Sequence, residues 1–140
     1  MKKRVAYGIT TLILLSIEVF IALFVHDTFV RPYIGDVLVV IVIYTFVRIF
    51  VPEGCVLLPL YVFVFAAGVE VLQLFHMVDL LGLGDSRFFR TLIGSVFDMK
   101  DILCYAVGCL ILFIITMLRK KYFEKAIKLW YNVMSIHLQL

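Results

Sequence analysis

The sequence predicts an all-α, polytopic membrane protein: a four-transmembrane-helix bundle with a short outer interfacial helix and a C-terminal amphipathic helix. Hydrophobic residues make up 64% of the 140-residue chain and the mean hydropathy is +1.12, well above the roughly 45–50% apolar content of soluble domains. The apolar residues gather into four runs, about 5–25, 36–51, 57–76 and 98–118, inside one membrane domain spanning 1–140. The net charge is +3, and its basic residues border those runs without forming a domain of their own. They read as topology determinants, which excludes nucleic acid as a partner.

Lys2, Lys3 and Arg4 precede the first run, which is long enough to cross a hydrocarbon core of about 30 Å. A cleaved signal peptide has an apolar core of only about 7–15 residues. This run is longer, carries Glu18 and ends in Val25-His26-Asp27, so a retained anchor is expected. A polar connection holding Asp27, Arg31 and Pro32 leads to span two at 36–51. That span makes about 24 Å of helix, so Arg48 is expected to snorkel or the bilayer to thin. Pro52-Glu53-Gly54 breaks the chain and folds spans two and three into an antiparallel hairpin. Pro59 fits the first turn of span three, where a missing N–H costs little.

Span three, 57–76, carries Glu70 and Gln73 three positions apart on one face and ends at His76. In the connection that follows, Asp85-Ser86 is expected to cap a short helix over 86–94 lying along the outer surface. Phe88, Phe89, Leu92 and Ile93 make one of its faces, and Arg87, Arg90, Thr91 and Gly94 the other. Span four places Asp98, Asp101, Tyr105 and Gly108 at i, i+3, i+7 and i+10, a single stripe. The tail, 119–140, sets Phe123, Ile127, Trp130, Tyr131 and Met134 against Lys121, Lys125 and Lys128, the pattern of an interfacial anchor with aromatic-belt residues.

Four spans put both termini on one side. With the N-terminus inside, nine basic residues are cytoplasmic (Lys2, Lys3, Arg4, Arg48, Arg119, Lys120, Lys121, Lys125, Lys128) and four are outside (Arg31, Arg87, Arg90, Lys100), which favours N-in and C-in. The acids sort the other way, leaving only Glu53 and Glu124 inside. A carboxylate within a span costs about 2.5–3.5 kcal/mol at the centre, so it should face the bundle and find a partner. The candidate site is therefore an outward-opening cavity between spans three and four lined by Glu70, Gln73, Asp98, Asp101 and Tyr105, with Arg87 and Arg90 on its rim. Glu18, His26, Asp27, Arg31, Asp36, His76 and Asp79 are secondary candidates at the same end. Two structural accounts stand beside the functional one: Asp98 as a helix cap, and Glu70 as half of an ion pair with Arg87 or Arg90.

Metal chemistry is not expected, because His26, His76 and His137 form no ligand-type pair. No cofactor is expected either. Cys55, Cys104 and Cys109 are an odd count without metal spacing and read as free, buried thiols. Ser86 and Ser95 lie in no nucleophile motif.

The chain resembles the domain of unknown function 2809 family of small bacterial membrane proteins over nearly its whole length. The residues that carry the resemblance are Phe24-Val25-His26-Asp27, Phe29-Val30-Arg31-Pro32-Tyr33-Ile34-Gly35-Asp36, Glu70-x-x-Gln73, Val78-Asp79-Leu80-Leu81-Gly82-Leu83-Gly84, Arg90-Thr91 and Gly94-x-x-Phe97-Asp98-x-x-Asp101-x-x-x-Tyr105-x-x-Gly108. The resemblance implies a bacterial inner-membrane location and no known activity. More distantly, Glu70, Gln73, Arg90, Asp101 and Gly108 are similar to a pattern of the VanZ-like membrane family, some members of which are linked to reduced teicoplanin sensitivity. Tyr105 stands where that family has Asn, and the phenotype is not carried over.

Three functions fit these residues. One is a non-catalytic envelope protein whose site binds a membrane-lipid head group or an envelope precursor. Another is an enzyme on such a lipid, with Asp or Glu as acid or base. The third is a proton or cation pathway, against which the sequence shows few polar side chains in the inner halves of the spans. Neither a substrate nor an oligomeric state is legible.

Overall fold

The computed structural model describes residues 1–75, 77–82, 85–86 and 97–138, and every regular element among them is helical. Helix α1 is Lys2–Phe24, α2 is Gly35–Phe50, α3 is Leu58–Leu74, α4 is the single turn Met77–Leu80, and α5 is Met99–Leu138. A π-helical turn, Val30–Ile34, runs directly into α2.

Among the described residues, three stretches are long and apolar enough to cross a membrane: Lys2–Phe24, Val30–Phe50 and Met99–Ile136. Leu58–Leu74 is an apolar helix of 17 residues, about 25 Å long. Helix α2 packs against α1, α3 and α5, and α3 packs against α5. Arg119 donates to the Tyr7 hydroxyl at 3.2 Å, and Lys3 pairs with Glu53. These contacts gather the start of α1, the α2–α3 link and the middle of α5 at one end, here called the basic end. The end of α3 and the start of α5 meet at the other, acidic end, where Glu70 contacts Asp98.

The inward faces follow helical spacing. Leu58, Val62, Ala66 and Glu70 step by four along α3, and Asp101, Tyr105, Cys109, Leu112 and Thr116 run down α5. Val40, wholly buried, sits at the centre with Val62, Ala66 and Leu112. Gly108 lets α2 and α5 approach there: a Cβ on it would stand 3.2 Å from the Val37 carbonyl oxygen and 3.5 Å from Val40 Cβ. The outward faces stay apolar, with Leu12, Phe20, Phe46, Phe65, Leu103 and Leu110 exposed. Hydrocarbon is the solvent that suits such a surface, since helices satisfy their own backbone polar groups.

Three sequence expectations change. The helical run of span two begins at Val30, ahead of residue 36, because the turn Val30–Ile34 carries Pro32 without ending the helix. The run then has 21 residues, and neither bilayer thinning nor snorkelling is needed to span. Arg48 does not reach outward: it is 5% exposed. Its guanidinium donates to the Tyr44 hydroxyl at 3.1 Å and to the Cys55 carbonyl at 3.0 Å, with the Val51 carbonyl at 3.5 Å. It thereby serves the unsatisfied carbonyls at the end of α2 and in the link to α3. Finally, span four and the tail form one continuous helix of 40 residues, because no Gly or Pro follows Gly108 to break it. The expected interfacial helix over 86–94 falls almost wholly outside the described residues.

Candidate functional site

Asp98 ends its segment as an N-cap: its Oδ1 accepts the Lys100 backbone N–H at 2.9 Å, and α5 starts at Met99. That cap aims the Asp98 backbone N–H at α3, where Glu70 Oε1 accepts it at 2.9 Å. On the other oxygen, Glu70 Oε2 accepts the Tyr105 hydroxyl at 3.4 Å. Glu70 is 2% exposed, so a carboxyl group is held away from bulk water by one backbone and one phenolic donor.

Helix α2 brings a second acid to the same place. The side chains of Asp36 and Asp101 hydrogen-bond to each other, and Asp36 lies within electrostatic reach of Glu70 and Glu18. Two carboxyl groups in contact need a proton or a cation between them. Glu18 comes from α1. Its Oε1 lies 3.5 Å from where a Cβ on Gly35 would stand. Its Oε2 is buried with no hydrogen-bond partner among the described residues. The half-buried thiol of Cys104 sits among these acids, within reach of Asp36, Asp98 and Asp101.

The cluster thus draws on α1, α2, α3 and α5, whereas the sequence placed it between spans three and four alone. Of the main candidates, Glu70, Asp98, Asp101 and Tyr105 are together, and Gln73 is half-buried one turn beyond Glu70. From the secondary candidates, Glu18 and Asp36 join them. His26, Asp27, Arg31 and Asp79 are exposed; His26 Nδ1 contacts the Phe24 carbonyl, and Asp27 accepts the Phe29 N–H. His26 and Asp27 thereby close the turn after α1. Arg87, Arg90 and His76 lie outside the described residues, as does the expected pairing of Arg90 with Glu70 or Asp101.

Sequence reasoning missed a second polar group toward the basic end. Thr11 donates to Thr45 at 3.0 Å, Tyr44 and Thr116 hydroxyls meet at 3.0 Å, and Arg48 lies over the Tyr44 ring. The signal is present in Tyr44, Thr45 and Arg48, which share one face of α2, but hydroxyl side chains are ordinary in apolar helices and do not by themselves mark a polar group. Between the two polar groups lies the apolar layer of Val40, Val62, Ala66, Cys109 and Leu112. No group of three or more His, Cys, Asp or Glu suited to a metal ion occurs among the described residues.

Comparison with curated proteins and with solved structures gives no match. The family model described as a protein of unknown function, DUF2809, matches residues 25–109. That segment holds Asp36, Glu70, Asp98, Asp101, Tyr105 and Gly108, and excludes Glu18 and the second half of α5. The match covers more than half of the chain, which therefore belongs to the DUF2809 family of proteins of unknown function.

Proposed function

We propose that the protein crosses the bacterial cytoplasmic membrane four times, with both termini cytoplasmic, and that its acid cluster opens outward to bind the polar head of a lipid or lipid-linked envelope precursor. The observation that carries this reading is the buried Glu70 carboxyl, held by Asp98 N–H and Tyr105 O–H beside Asp36, Asp101 and a Glu18 oxygen with no partner among the described residues. Such a set of acceptors suits a ligand that brings donors: an ammonium group or several hydroxyls. The count of nine basic residues against four supports the orientation. The shared location of Tyr7, Glu53 and Arg119 at one end supports an even number of crossings, with α3 as the short third span.

Mass spectrometry of lipids retained by the purified chain tests the reading. Wild type is expected to keep one amine- or hydroxyl-bearing lipid class that Glu70→Gln loses. Identical retained lipids in both proteins would overturn it. Were the protein instead an enzyme using a carboxylate as acid or base, the same spectra would contain a modified lipid made by wild type alone.

A specific observation favours a second reading, a proton or cation pathway. The Asp36–Asp101 contact needs a positive charge between the carboxyls, and the Thr11, Thr45, Tyr44 and Thr116 hydroxyls continue polar groups on the far side of the apolar layer. In proteoliposomes holding a pH-sensitive dye, that reading expects an imposed gradient to collapse faster with wild type than with Asp101→Asn. Equal rates would exclude it.

A further inference from the structure

The second half of α5 is covered by nothing among the described residues. From Met117 to Ile136 every residue is exposed, including Tyr122, Phe123, Ile127, Leu129, Trp130, Val133, Met134 and Ile136. The Arg119–Tyr7 and Lys3–Glu53 contacts mark the basic end of the bundle. A 40-residue helix is about 60 Å long, twice the hydrocarbon thickness, so roughly half of it lies past that end.

Its side chains are sorted. At 100° per residue, Lys121, Glu124, Lys125, Lys128, Asn132 and Ser135 fall within an arc of about 100°. Apolar and aromatic side chains occupy most of the remaining turn. Water cannot be the intended neighbour of so wide an apolar face. The charges identify what is: Arg119, Lys120, Lys121, Lys125 and Lys128 stand against the single acid Glu124. Two such helices side by side would repel, whereas an anionic lipid surface would attract each of them.

We propose that residues 119–138 dock in the plane of the anionic cytoplasmic leaflet. The aromatic face enters the acyl boundary and the lysine stripe faces head groups and water; lying in the leaflet requires the helix, continuous through Arg119-Lys120-Lys121 in this structure, to bend there where it leaves the hydrocarbon. Narrow polar stripes, flanking aromatics and snorkelling lysines are the marks of helices that lie in the interface. Docking also removes the need for a partner protein.

Trp130 is the chain's one tryptophan and reports on this directly. The full chain is placed in nanodiscs of phosphatidylcholine alone, or of equal parts phosphatidylcholine and phosphatidylglycerol, and quenching of Trp130 by the uncharged quencher acrylamide is measured. Docking predicts strong shielding in the anionic discs, weaker shielding in the neutral ones, and loss of the difference at high salt. Each lysine favours docking on an anionic surface by a factor of about 5, so Lys121→Gln, Lys125→Gln and Lys128→Gln together should weaken it by about 100-fold. Unchanged thermal unfolding of that variant is expected, since the three lysines are exposed and form no hydrogen bond or ion pair among the described residues. Equal acrylamide access in both discs, or shielding that ignores lipid charge, would overturn the proposal. Shielding that disappears on diluting the protein within excess lipid would also overturn it and assign the face to a second copy.

Discussion

Glu70 shows what a single residue must satisfy here. Its two oxygens take a backbone N–H from Asp98 and a hydroxyl from Tyr105, so replacing it with Leu would take the partner from both donors in a part-buried place. The cost of a buried unsatisfied group is about 1–3 kcal/mol, and Glu70→Leu is expected to lower detergent unfolding stability by that amount or more. Asp98→Ala should behave differently. It removes the cap on Lys100 N–H, worth about 1 kcal/mol, but leaves the Asp98 backbone N–H on Glu70. Equal losses for the two variants, measured by thermal unfolding, would contradict this division. Arg48 carries a parallel expectation: Arg48→Met should destabilise, because the Cys55 carbonyl and the Tyr44 hydroxyl lose a buried partner. Much of this was legible. Helical spacing put Glu70 on an inward face, and Asp98 before an apolar run reads as a cap. The burial of Arg48 was not, because a cation near a helix end is ordinarily assigned to water, and only the carbonyls of a neighbouring link reveal otherwise.

At the scale of elements, α2 and α5 come close together at Gly108. A branched side chain there meets the Val37 carbonyl, which is backbone and cannot swing aside. Gly108→Val is therefore expected to cost about 1–3 kcal/mol, the range for overpacking a filled core. An unfolding transition unchanged from wild type would show that the helices can part without penalty. Helix existence and type could be read from apolar runs, but where those runs join could not always be. Pro32 looked like a boundary and instead sits in a π-helical turn that continues into α2. Between span four and the tail, a change of composition looked like a boundary, although no helix breaker separates them. Composition reports the surroundings of a segment, while breakers report its backbone, and the two diverge at such junctions.

At the scale of the whole molecule, the helices arrange one acidic end, one apolar middle and one basic end. The membrane class and the polar stripes were legible from the sequence alone. The convergence of Glu18 and Asp36 on Glu70 and Asp101 was not, because it depends on which face of α1 and α2 meets the others, and that is settled by packing across distant positions. The proposed orientation predicts that a membrane-impermeant maleimide reaches Asp85→Cys from outside and misses Glu53→Cys, in a chain whose native cysteines are replaced. The reverse pattern would invert the topology. The central claim is that acids from four helices form one site. Its most direct measurement compares lipid retention in Glu18→Gln, Asp36→Asn, Glu70→Gln and Asp101→Asn with that in Asp27→Asn and Asp79→Asn, whose acids are exposed at the same end. The account predicts that the first four lose one and the same lipid class while the last two keep it. Retention of that class by the Glu18 and Asp36 variants, or its loss from all six, would contradict a single four-helix site.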